Sequence, residues 1–237
     1  MKKRNGRDYG KNKALKRRWI REFILGGQDG LVNVLGIILG VASATQDVTI
    51  VLVAGISALF AESISMGAVA YTSSKAAWDF YRSMKDREAR KIEDTPRVKE
   101  DGVYRIYAAK GFHGTLLHRI VRTITSDKRL WIETLMQDEL HLFPDQSQNP
   151  GKVGRIVFLA TVIGSLIPLV PFFFLGVTWG MLVSFFISIA ALFVAGCLKA
   201  KYTRGSWKRA GIELALIGTV AAVSGYVIGK ILERAFL

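Results

Sequence analysis

Apolar positions along this chain gather into five long runs instead of short periodic stripes. They cover roughly residues 23–44, 48–71, 153–175, 177–198 and 210–232, and the first is interrupted by GGQDG. Each is about 20 residues long, the length a helix needs to cross about 30 Å of hydrocarbon. The pattern predicts an all-α polytopic membrane protein with five transmembrane helices. Between the second and third runs lies a polar insert of about 75 residues, read as a small helical cytoplasmic domain. The domain layout is then a basic arm (1–21), transmembrane helices 1 and 2 (22–74), the insert (75–152) and transmembrane helices 3 to 5 (153–237).

Inside the insert, SSKAAWDFYRSMKDREARKIED has helical spacing without Gly or Pro, until Pro96 ends or restarts the helix. RVKEDGVYRIYAAKG reads as a second helix closed by Gly111. GTLLHRIVRTITSDKRLWIETLMQDELHLFP follows as one or two amphipathic helices, with Ser126 or Asp127 capping the last. Leu130, Trp131, Thr134 and Leu135 fit one face of that last helix. No internal repeat is evident, and the basic arm is expected to be disordered.

Composition sharpens this picture. Half of the 237 residues are hydrophobic, yet the formal net charge is +14, a combination that only segregation reconciles. Lys and Arg number ten up to Arg21, sixteen from Lys75 to Arg155 and five from Lys199 to Arg209; the connections SATQDV and around Gly176 carry none. Because cytoplasmic flanks are enriched in these residues, the N-terminus and insert are expected in the cytoplasm and the C-terminus on the opposite side. The polar basic start predicts insertion through the first helix, with no cleaved leader. Cys197, the single cysteine, forms no intrachain disulfide.

Three acids fall in or near apolar runs: Asp29, Glu62 and, nearer an end, Glu213. A charged side chain at the centre of a membrane helix costs about 2.5–3.5 kcal/mol on insertion scales, so each is a candidate for function. Glu62 and Met66, in FAESISMGAVAY, are four residues apart and share a helix face. A carboxylate beside a thioether suits a borderline divalent ion such as ferrous iron, and the carboxylate can carry a proton when metal is absent. The plainer alternatives are packing for Met66 and pairing with a neighbouring Lys or hydroxyl for Glu62. Asp29 either lies where GGQDG loosens the helix and frees carbonyls toward an ion, or caps a helix at the membrane surface. Pro168 and Pro171 predict a kink in the third span. Met136 and Glu139 repeat the acid and sulfur pairing in the insert; His113, His118 and His141 are weaker ligand candidates.

REFILGGQDGLVNVLGIILGVA, AESISMGAVAYTSSKA, an insert ending in WIETLMQDELHL, PLVPFFF and the glycine-rich GTVAAVSGYVIG together resemble the vacuolar iron transporter family, from about Arg21 to the C-terminus. The resemblance implies a homodimer that moves Fe2+, and often Mn2+, out of the cytosol in exchange for protons, with the metal as cargo and no cofactor. It implies that Asp29 and Met66 line the ion path at the dimer interface, with Glu22 near its cytoplasmic entrance. In the insert it implies metal capture by Glu88, Glu100, Met136 and Glu139. The chain departs from the family pattern in having Ala58 where an acid is usual, its acid standing at Glu62. Arg97, Val98 and Lys99 follow the proline where glutamates are common, and Lys91 replaces another acid. Positive charge in the insert opposes cation capture there.

The expected function is proton-coupled transport of a divalent transition metal through a dimeric membrane domain, with Asp29, Glu62 and Met66 as membrane ligands. The alternative is a membrane scaffold or regulator whose basic regions bind anionic lipid. No nucleotide loop, HExxH motif or nucleophile with a partner base is present, so an enzyme is not expected. Nucleic acid is not an expected partner, because membrane orientation already explains the basic blocks. The membrane is of plasma or vacuolar type.

Overall fold

The computed structural model describes residues 6–143, 149–203 and 205–236. Among them every regular element is helical: α1 (Gly6–Thr45), α2 (Val48–Asp94), α3 (Pro96–Ala109), α4 (Gly114–Thr125), α5 (Lys128–Thr134), α6 (Pro150–Leu169), α7 (Val177–Thr203) and α8 (Trp207–Phe236). α5 runs on into a π-helical turn, Leu135–Glu139, and α6 into a 3-10 turn, Val170–Phe173. Five helices are long and apolar enough to cross a membrane: Trp19–Thr45 within α1, α2, α6 with its 3-10 turn, α7 and α8. The chain divides into two compact units. One holds the residues up to Tyr71 and from Gly151 onward, the other Thr72–Pro150.

In the first unit α1 is the central helix. Its buried positions Leu31, Val34, Leu35, Ile38, Leu39 and Ala42 recur at helical spacing. They meet Leu192 of α7, Leu214 and Ala222 of α8, and Leu169 and Phe172 at the end of α6. Two expectations are corrected along this helix. The arm is helical from Gly6 onward instead of disordered, and GGQDG does not interrupt or loosen α1. A helix-interior glycine costs about 1 kcal/mol relative to alanine, and here close backbone contact offsets that cost. Gly26 and Gly30 lie against Val157, Thr161 and Ser165 of α6, and Gly27 faces Gly164. Farther on, Gly36 and Gly40 lie against Ala221, Gly225 and Gly229 of α8. Helices in lipid associate through such close packing, since lipid tails are as apolar as leucine.

The chain reverses after α1 through Gln46, whose φ of 53° is left-handed. Asp47 then caps α2, its carboxylate accepting from the backbone N–H of Thr49 at 2.7 Å. α2 returns beside α1 and along α6: Gly55 packs on Ile38 and Leu169, and Gly67 on Gly154 and Phe158. α6 therefore touches both arms of the α1–α2 hairpin. Pro168 lies inside the last turn of α6, and Pro171 opens the 3-10 turn that follows. The change of winding is the physical form of the expected kink, and the Ser184 hydroxyl of α7 donates to the Pro168 carbonyl at 2.7 Å.

The second unit packs Ile92, Val103, Leu117, Val121, Ile124, Trp131, Ile132, Leu135 and Met136 into one core. Pro96 restarts the helix, Gly111 takes a left-handed φ of 91° after α3, and Asp127 caps α5 by accepting from the N–H groups of Arg129 and Leu130. The expected α5 face is only partly right. Trp131, Thr134 and Leu135 are buried with Ile132, whereas Leu130 is exposed.

Candidate metal-ion site

Asp29 sits in the middle of α1, so it is not a helix cap, and Glu62 sits on α2. Asp29 precedes Gln46 by 17 residues and Glu62 follows it by 16. In an antiparallel hairpin with equal rise per residue on both arms, the two acids fall at one level. Their carboxyl groups lie within hydrogen-bonding reach of each other. Two carboxyls this close hold a shared proton or a cation between them, because two bare negative charges repel strongly away from water.

Beside the pair a cavity of about 270 Å³ is lined by Asn33, Val34, Ile37, Ala58, Ala61, Glu62 and Ser65. Asn33 and Ala58 are again equidistant from the hairpin turn, one helical step beyond the acids. The polar donors on this surface are a carboxylate, a carboxamide and a hydroxyl, all oxygen ligands suited to a divalent cation. Met66, one turn from Glu62, is half-buried and is not among the residues that line the cavity. Among the described residues no group of three or more His, Cys, Asp or Glu could hold a metal ion. One chain thus presents two acids on an open helix face instead of a closed ligand cage.

Glu22, seven residues before Asp29, pairs with Arg21 at 2.8 Å. Glu213 is exposed on α8. Neither is brought to the acid pair by any described contact.

The insert residues take different roles. Glu88 is fully buried, with Lys91 Nζ 2.6 Å from Oε1 and Lys99 Nζ 2.6 Å from Oε2. Lys99 also reaches Glu139 at 3.1 Å. Burial works to raise the Glu88 carboxyl, but contacts with Lys91 and Lys99 outweigh it and hold the group below its ordinary 4.5. Burial likewise works to lower Lys99, and Glu88 and Glu139 outweigh it, holding the ammonium above its ordinary 10.5. Met136 is 1% exposed within the apolar core, and Glu100 is exposed. The expected shared face of Met136 and Glu139 is lost. The wider π-helical winding, marked by Leu140 N–H donating to the Leu135 carbonyl, turns each residue through a smaller angle than an α-helix does. His118 stacks at 5.5 Å on Tyr104, and His113 stands before α4 without a side-chain cap bond.

Sequence reasoning on Asp29 and Glu62 named both acids but not their pairing. The signal was present in their equal distance from the turn at Gln46. Asn33 and Ser65 were missed, since single polar residues in an apolar run carry no mark of which surface they line.

A sequence model of the VIT family matches residues 20–230. Vacuolar iron transporter 1 of Tulipa gesneriana is 28% identical over 215 residues, covering 90% of this chain and 87% of the relative. Vacuolar iron transporter 1 of Arabidopsis thaliana is 28% identical over 216 residues, covering 91% and 86%. The vacuolar iron transporter of Plasmodium falciparum is 30% identical over 236 residues, covering 95% and 86%.

Proposed function

The chain belongs to the VIT family, and on that premise we propose that it transports ferrous iron, with Mn2+ as a second cargo, out of the cytosol in exchange for protons. The observation that carries this reading is the facing Asp29 and Glu62 carboxyls, bordered by a cavity that Asn33 and Ser65 line. Such a pair can exchange a proton for a divalent cation while the charge between the helices stays balanced. Met66, one turn along α2, offers a softer donor that favours a transition ion over Mg2+ or Ca2+. Glu22 lies on the same α1 stripe, seven residues nearer the basic arm, where it can attract an arriving cation. The N-terminus and insert face the cytosol in this reading, as the Lys and Arg distribution requires, in a membrane of plasma or vacuolar type.

The transporting form is a homodimer. In support, the α1–α2 hairpin leaves Asn33, Ser57, Ala61 and Ser65 exposed along membrane-crossing segments. Polar groups facing lipid are costly, and small residues let a second helix pair approach closely. A second subunit on this face would also add ligands that one chain lacks. A scaffold that only binds lipid gives no reason for two acids to meet inside an apolar hairpin.

The test is flux into proteoliposomes that hold a metal-sensitive dye, with an imposed pH gradient. Wild-type protein should accumulate Fe2+ faster when the gradient is present, and an Asp29→Asn, Glu62→Gln double variant should not. Equal flux in the two proteins would overturn the proposal.

A further inference from the structure

The second unit holds a cluster of charge with no counterpart in the transport site. Glu88 on α2 and Glu139 at the end of the π-helical turn are both within 3.1 Å of one nitrogen, Lys99 Nζ on α3. The Glu88 side chain is 0% exposed and that of Lys99 10%, so bulk water does not screen them. Lys91 adds a second ammonium on the other oxygen of Glu88, and its own side chain is 39% exposed. Two carboxylates converging from separate elements on one point form the usual start of a divalent oxygen site, with metal–oxygen distances of about 2.0–2.6 Å. Here that point is filled by a covalently attached cation.

We propose that Lys99 is a tethered counter-ion that fills the acidic pocket of the 72–150 unit, keeping that unit free of metal, and that removing its charge converts the pocket into a divalent-cation site. The π-helical turn contributes by directing Glu139 toward Lys99 while Met136 stays in the core, so that the pocket offers only oxygen atoms. Those ligands favour Mn2+ or Mg2+ over softer ions. A unit held together by its own ammonium keeps its fold whether or not metal is present. This inference concerns binding in the resting protein. It stands or falls independently of the direction of transport or its coupling to protons.

The experiment counts Mn2+ bound to the full chain in detergent, from the loss of the free-ion paramagnetic resonance signal. Lys99→Met should add one site per chain over wild type, and Lys99→Met with Glu139→Gln should remove it. In the wild-type background, Glu139→Gln should leave the number of sites unchanged. If Lys99→Met folds only when Mn2+ is supplied, the proposal is likewise supported. It is overturned if folded Lys99→Met gains no site. It is also overturned if wild-type protein loses a site on Glu139→Gln, a measurement that does not depend on whether the lysine variant folds.

Discussion

Gly164→Ala tests how the fold sets the acid pair. Gly164 on α6 faces Gly27 of α1, two residues before Asp29, and an added Cβ would come within 2.9 Å of Gly27 Cα and closer still to its carbonyl oxygen. An ordinary carbon contact is about 3.5–4.0 Å, so α1 and α6 must part locally by roughly 1 Å. α6 also abuts α2 at Gly67, so the displacement shifts α1 against α2. Overpacking costs about 1–3 kcal/mol, of which the better helix propensity of alanine returns at most about 1 kcal/mol. A misplacement of about 1 Å at a reacting centre can lower a rate by roughly 10²-fold. Metal flux in proteoliposomes should therefore fall far more than the small loss of thermal stability accounts for. Gly102→Ala on α3, where a Cβ meets nothing within 4 Å, is the matched control and should raise stability by up to about 1 kcal/mol. A folded Gly164→Ala protein transporting within twofold of wild type would refute the idea that the glycine contact sets the Asp29–Glu62 spacing.

Glu88→Ala should destabilise the second unit by about 3–5 kcal/mol, because it strands the largely buried Lys99 ammonium; hydrogen exchange of α3 amides reads this, and a loss below 1 kcal/mol would contradict it. Glu88, held low, stabilises the fold above its unfolded value of 4.5 and loses this as pH falls; Lys99, held high, stabilises below 10.5 and loses this as pH rises. Melting of the insert should thus be flat between those limits and fall on both sides, whereas a monotonic pH trend would exclude the cluster as its cause. Asp127→Ala removes the cap on the Arg129 and Leu130 N–H groups and should cost about 1 kcal/mol, seen as faster amide exchange at the start of α5.

Much of the architecture was legible from residue type and length. Runs of about 20 apolar residues marked the five spanning helices, since a hydrocarbon layer demands that length of continuous apolar helix. Pro96, Gly111 and Asp127 marked helix ends because each acts on the backbone within a few residues. GGQDG misled for a physical reason. Glycine lowers helix propensity locally, but its lack of a side chain here serves contact with Gly164 and Thr161, more than 130 residues away in the chain. The same holds for Glu139, whose direction depends on a π-helical turn that no short-range pattern announces.

By itself, then, the sequence determined what must be buried in lipid, which chain segments carry positive charge, and which acids stand where acids are costly. These follow from solvation, which acts on each residue wherever its neighbours lie. Only the tertiary structure decided that Asp29 meets Glu62 and that Lys99 stands between Glu88 and Glu139. Charge–charge contact depends on distances of a few ångströms, and those are set by how glycine faces let helices approach and by where each helix turns back.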